Sequence, residues 1–139
     1  MYDTGINICL HLDHGATFEI CKDYMMEREQ FGKPICKNQY LAFRMADLQT
    51  QIDMCKLLLY KGVWEQQQGM DFSVSACKAK LACTELAMKV TTECIQSMGG
   101  AGYMRENHVE RMFRDAKITQ IYEGTNEIQR LIISGSIFR

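Results

Sequence analysis

Very little in this sequence breaks a helix. Proline occurs once in 139 residues, at Pro34, and several of the ten glycines gather at 99–102. A chain with so few breakers is expected to be mostly helical. Charge of one sign is also missing: 16 basic side chains face 17 acidic ones, so neither nucleic acid nor an anionic membrane surface is an electrostatic partner. No apolar run approaches the roughly 20 residues that span a bilayer. The opening "MYDTGINICL" lacks a charged segment followed by a long apolar one, so no signal peptide is expected.

The seven cysteines stand at 9, 21, 36, 55, 77, 83 and 94, with no CxxC pair. An odd, scattered set of this kind argues against a disulfide framework or a zinc site. Most fall inside apolar patterning, where a thiol acts as a small hydrophobe. They point to a reducing compartment, the cytoplasm or, in a eukaryote, the mitochondrial matrix. Inward-facing Glu-x-x-His pairs, the mark of di-iron bundles, are absent, and the histidines at 11, 14 and 108 are poorly placed for metal. His11 and His14 share a helix face and read as polar surface. No metal is expected.

What is present is helical periodicity. From Asn38 to about Gly69, Leu41, Met45, Leu48, Ile52, Cys55 and Leu59 recur at spacings of three and four, which makes one apolar face. From about Phe72 to Met98 a second stripe holds Val74, Cys77, Leu81, Thr84, Met88, Thr91 and Ile95. Asp71 is its expected cap and Gly99 its stop. An earlier helix is expected from about Thr4 to Glu29, ending before "FGKP" because the residue before proline avoids helical backbone. A shorter helix is expected around Val109 to Ala116, then a final one in "NEIQRLIISGSI" with Ile128, Leu131 and Ile132 on one side. Long helices joined by short connections pack antiparallel. The expected fold is therefore all-α, an antiparallel four-helix bundle in one domain over residues 1–139.

Two stretches carry possible chemistry. In "MGGAGY" (98–103) the glycines follow a helix rather than a strand and lack the Gly-Lys-Ser/Thr of a phosphate loop. They turn the chain, and bare backbone there admits close approach by a ligand. In "YEGTNE" (122–127) two readings stand side by side. Gly124 can end one element while Thr125 or Asn126 caps the next, leaving Glu123 as a solvated loop acid. Alternatively, the turn displays Glu123 as a general base.

Four stretches together resemble the acyl-CoA dehydrogenase family: "EREQFGKPI" (27–35), Gln39, "QSMGGAGYM" (96–104) and "VERMFRDAKITQIYEGTNEIQRLII" (109–133). The last is the most specific. The resemblance covers nearly the whole chain but only the C-terminal third of the family's usual length. It implies the C-terminal helical domain, with the N-terminal helical and middle β-domains lying outside this sequence.

The resemblance further implies that Glu123 accepts the α-proton of an acyl-CoA thioester while the β-hydrogen leaves as hydride to the flavin N5. A carboxylate with a reference pKa near 4.3 is a feeble base in water, and burial against an acyl chain strengthens it. Tyr122 and Gly124 would line the substrate site. Arg28, Phe31 and Gln39, with Gln96, Ser97, Met98, Gly99 and Gly100, match positions that contact FAD. Arg28 is suited to phosphate by its fork of donors. In the family those groups commonly reach a neighbouring subunit's FAD, so a homotetramer built as a dimer of dimers is implied. Thr125, Asn126 and Glu127 match contacts to the flavin of the same subunit.

Electrons would pass to an electron-transfer flavoprotein, in fatty acid metabolism; an acyl-CoA oxidase would return them to O₂ instead. A non-catalytic assembly module of the same fold is the remaining alternative, and retention of Glu123 and Arg28 argues against it. The isolated 139-residue chain is expected to hold FAD weakly and to be inactive. The sequence departs from the family pattern in "LHLDHG" (10–15) and at Gly135, where an arginine is frequent.

Overall fold

The computed structural model describes residues 14–139; the expected helix start at Thr4, together with His11 and Asp13, lies outside the described residues. Helix α1 (His14–Glu27) leads into a two-stranded ribbon, β1 (Glu29–Gln30) and β2 (Lys33–Pro34), and a 3₁₀ turn at Ile35–Lys37. Helices α2 (Gln39–Gln67) and α3 (Ser73–Met98) follow. A single helical turn, α4 (Gly100–Tyr103), and a second 3₁₀ turn at Arg105–Asn107 then lead to α5 (Val109–Thr119) and α6 (Asn126–Ile137). No described helix is long and apolar enough to cross a membrane.

Helix α1 stops two residues before the expected Glu29, because the segment after it forms a hairpin. Glu29 pairs with Pro34 and Gln30 with Lys33. The two residues between, Phe31 (φ 54°) and Gly32 (φ 75°), both have left-handed backbone, the requirement of the tightest hairpin turn. Asn38 caps α2 by accepting from the Tyr40 N–H at 3.0 Å. Asp71 accepts from the Ser73 N–H at 3.0 Å, so it stabilises the first turn of α3 from one position before the N-cap residue, Phe72.

Helices α2 and α3 run antiparallel. Arg44 pairs with Glu93, and seven residues further along α2 the Gln51 Oε1 accepts from Lys89 Nζ at 2.9 Å, four residues back along α3. Leu48, Ile52, Cys55 and Leu59 of the expected α2 stripe are buried, and Leu41 and Met45 pack against them half-buried. Helix α3 differs from expectation. It is the central member, touching α1, α2, α5 and α6, and its buried set extends past one stripe to Ala76, Ala79, Lys80, Cys83, Leu86, Ala87, Val90 and Cys94. Small alanine and cysteine side chains let several helices approach it together. At Gly102 a Cβ would lie 2.9 Å from the Ile95 backbone, so the turn after α3 fits only with hydrogen there.

Cys21, Cys55, Cys77, Cys83 and Cys94 are buried free thiols, and Cys36 is half-buried. A hydrogen bond with Cys83, then burial, pushes the Cys55 thiol far above its ordinary range. A hydrogen bond with Cys21, then burial, does the same for Cys94, and burial alone raises Cys77. The hydrogen bond with Cys94 lowers Cys21 instead, but a reagent must also reach the sulfur, and the five buried side chains are at most 7 % exposed. Brief alkylation of the native protein at pH 8 should therefore label Cys36 among these six and spare the other five. Denaturant should release all six, as read by peptide mass spectrometry; rapid native labelling of Cys55 or Cys94 contradicts the packing.

Candidate functional site

The turn between α5 and α6 is over-determined. The Ile121 and Tyr122 N–H groups both donate to the Ile118 carbonyl at 3.0 Å, and the Asn126 N–H reaches back to the Gln120 carbonyl at 3.0 Å. Glu123 (φ 53°) and Gly124 (φ 88°) are consecutive left-handed residues. For glycine this is ordinary, whereas for glutamate it costs energy that the surroundings must repay. A side chain at position 124 would also meet Gln129 Nε2 at 3.0 Å. Thr125 caps α6, accepting from the Ile128 N–H at 3.5 Å.

Behind this turn lies a polar network, buried at Lys80, Thr84, Asn126 and Gln129 and open to solvent at Glu85 and Arg130. Lys80, on α3, is 1 % exposed. Its Nζ donates to the Gly124 carbonyl at 2.9 Å and to Asn126 Oδ1 at 3.0 Å. Thr84 donates to the same Oδ1 at 3.0 Å. Asn126 Nδ2 donates to Glu85 Oε1 at 3.0 Å, which also accepts from Arg130 at 3.1 Å. Gln129 Nε2 reaches the Gly124 carbonyl at 3.0 Å and the Glu123 carbonyl at 3.5 Å. The backbone of the turn is thus held from within the bundle.

The side chain of Glu123 takes no part in that network. It is exposed and makes no hydrogen bond or ion pair among the described residues. Exposed apolar side chains stand beside it in the chain: Ile121, Tyr122 and Ile128 are each about half exposed, and Ile128 lies within van der Waals reach of position 124. Next to the turn, a groove of about 390 Å³ is lined by Lys117, Thr125, Asn126, Glu127 and Arg130 among others. Glu127, at the first turn of α6, has its carboxyl held below the usual range by its own backbone N–H and by the Thr125 hydroxyl, as expected for an acid at a helix N-terminus.

The other sequence-flagged residues lie at the far end of α3. Gln96 is exposed, Ser97 half-buried and Met98 buried. Gly99 ends α3 with φ 60°, and nothing stands within 4 Å of where a Cβ would sit on Gly99 or Gly100. The antiparallel pairing of α2 with α3 brings Gln39 to this same end. Arg28 and Phe31 belong to the hairpin that leads into it, and both are exposed, Phe31 at 99 %. The Ile35 N–H fixes the Arg28 carbonyl at 2.8 Å. A second groove, of about 570 Å³, opens here beside Gln96, Tyr103, Arg105 and Arg114. From Lys80, which contacts the Glu123 turn, to Gly99 is 19 residues of helix, roughly 28 Å at 1.5 Å per residue. Two separate sets of candidate residues result, one at each end.

Glu85, Gln129 and Arg130 carry no sequence signal of a site, and Thr84 reads only as part of the α3 stripe. The signal was there for Lys80: it sits three residues after Cys77 and four before Thr84, inside an apolar stripe.

Comparison with known proteins fits this architecture. Residues 5–138 match the model for the acyl-CoA dehydrogenase C-terminal domain. The short-chain-specific acyl-CoA dehydrogenase of Clostridium acetobutylicum is 49 % identical over 130 residues, 94 % of this chain and 34 % of that protein. The solved butyryl-CoA dehydrogenase of Megasphaera elsdenii superposes with a TM-score of 0.95 at 42 % identity, over 97 % of this chain and 36 % of that one. A structure described as the FAD complex of PigA is similar at a TM-score of 0.86 and 31 % identity, over 89 % of this chain and 32 % of that one. The chain therefore spans about a third of the length of the relatives it matches.

Proposed function

This chain belongs to the acyl-CoA dehydrogenase family, as its C-terminal helical domain, and we propose that it serves an FAD-dependent enzyme converting an acyl-CoA thioester to the trans-2-enoyl-CoA. The observation that carries the reading is Glu123: an acid free of internal partners, mounted on a rigid turn and flanked by exposed apolar side chains. In the proposed reaction Glu123 takes the α-proton of the thioester, and FAD, when bound, supplies the acceptor for the β-hydride, so the substrate loses one proton and one hydride. Tyr122, Ile121 and Ile128 give the acid an apolar rim. Once an acyl chain covers that rim, water leaves and the carboxylate becomes a stronger base. Gly124, lacking a side chain, lets the thioester approach.

The residues present fit the cofactor. Gly99 and Gly100 offer open, unsubstituted backbone at a helix end, Arg28 offers an exposed guanidinium for a pyrophosphate, and Gln39 and Thr125 offer neutral polar groups. Those at the Gly99 end are too far from Glu123 to serve the same flavin ring. That separation favours a homo-oligomer in which one copy's Arg28, Gln39 and Gln96–Gly100 complete the site of another. Short-chain thioesters are the favoured substrates, from the names of the relatives most like this chain, and an electron-transfer flavoprotein is the favoured acceptor.

The test is anaerobic addition of a panel of acyl-CoAs to the intact flavoprotein. Bleaching of the flavin by butyryl-CoA ahead of long-chain thioesters is expected; no bleaching by any saturated acyl-CoA refutes the activity. In the same protein Arg28→Ala should weaken FAD retention by about 10–100-fold, the loss of one charge-assisted contact. Flavin content after dialysis measures it, and unchanged content moves the phosphate contact elsewhere.

A further inference from the structure

We propose that Lys80 is a positioning residue for Glu123, a buried amine that locks the left-handed turn so that the carboxylate is aimed before substrate arrives. The inference rests on the proposed role of Glu123 and deepens it. The geometry is specific. Glu123 holds a backbone conformation that glutamate disfavours, at φ 53°, and such conformations persist only where neighbouring contacts enforce them.

The contacts that enforce it converge on the peptide that follows. Lys80 Nζ and Gln129 Nε2 both donate to the Gly124 carbonyl, at 2.9 and 3.0 Å. Lys80 simultaneously ties the turn to the start of α6 through Asn126 Oδ1, and Thr84 holds that oxygen from the same side of α3. A lysine offers three N–H donors and no acceptor, so the carbonyls and amide oxygen around it can face it in only one sense. The turn is therefore fixed in register against α3, the most enclosed helix of the bundle. A lysine kept only to fill space would not need these acceptors, since a methionine fills a similar volume.

The test compares Lys80→Met, Gln129→Leu and Glu123→Gln in the intact flavoprotein. The readout is the first-order rate constant for anaerobic flavin bleaching by butyryl-CoA. That constant is independent of the fraction of molecules that folded or kept FAD. Lys80→Met should lower it by about 100-fold, the size expected when a reacting group is misplaced by about 1 Å, with the concentration for half-maximal bleaching changed less than about threefold. Gln129→Leu should lower it on the order of tenfold.

Bleaching constants within twofold of the parent for Lys80→Met overturn the inference. If Lys80→Met yields no flavoprotein, Gln129→Leu decides by the same twofold criterion. The two claims fail separately: normal bleaching by Glu123→Gln removes the base assignment, whereas an inert Glu123→Gln beside a normal Lys80→Met removes only the positioning role.

Discussion

Glu123→Gln should leave the intact protein folded and yellow while its turnover with acyl-CoA falls by about 10³-fold or more, within or beyond the span typical of losing a general base. The substitution changes little else. Glutamine has the same length and nearly the same shape, and it bears the cost of left-handed backbone much as glutamate does. The carboxylate makes no bond to the described residues, so its loss leaves no buried group without a partner. Nor should melting temperature or flavin content move. The expected signature is thus a collapse of the reductive step alone, read as flavin bleaching in a single turnover. Parent-like bleaching would assign proton acceptance to another group and return Glu123 to the role of a solvated loop acid.

Much of this architecture is legible in the sequence, for reasons specific to each element. Helix α2 declares itself because one face is buried and one is wet, so Leu48, Ile52, Cys55 and Leu59 stand out at helical spacing. Its start is equally plain, since Asn38 has the side chain a helix N-terminus calls for. Helix α3 is less legible because it is enclosed by four other helices. A stripe drawn through Cys77, Thr84 and Thr91 is right as far as it goes. It misses Ala79, Cys83 and Ala87, whose burial depends on how closely neighbours approach rather than on their own hydrophobicity.

The hairpin at 29–34 escapes pattern recognition altogether. Its two paired positions are too short for alternation to register, and a phenylalanine rather than an asparagine occupies the first left-handed position of its turn. At the site, Glu123 and its glycine are visible as an interruption between helices. The support beneath them is not, because Lys80 is 44 residues away from Gly124 and no local rule connects them. A lysine within an apolar stripe is a warning that something distant accepts its hydrogen bonds.

Asn126 allows that support to be measured as stability. It is 2 % exposed, and its side-chain oxygen accepts from the buried Lys80 amine, so Asn126→Leu should destabilise the bundle by about 2–3 kcal/mol, the cost of leaving a buried donor short of an acceptor. The loss is concentrated on one partner. Thr84 can turn its single hydroxyl hydrogen onto the Lys80 carbonyl, 2.9 Å away, and Glu85 keeps Arg130; Lys80 loses one of its two acceptors in the turn region. Hydrogen exchange of the α3 amides, whose opening requires breaking this helix out of the core, should accelerate by roughly 30–150-fold. Combining Asn126→Leu with Lys80→Met should recover most of that protection, because removing both members of a buried polar pair is far less costly than orphaning one. Protection that is unchanged in Asn126→Leu, or a double variant weaker than the sum of the two single losses, would show that the lysine draws its stabilisation from elsewhere in the fold.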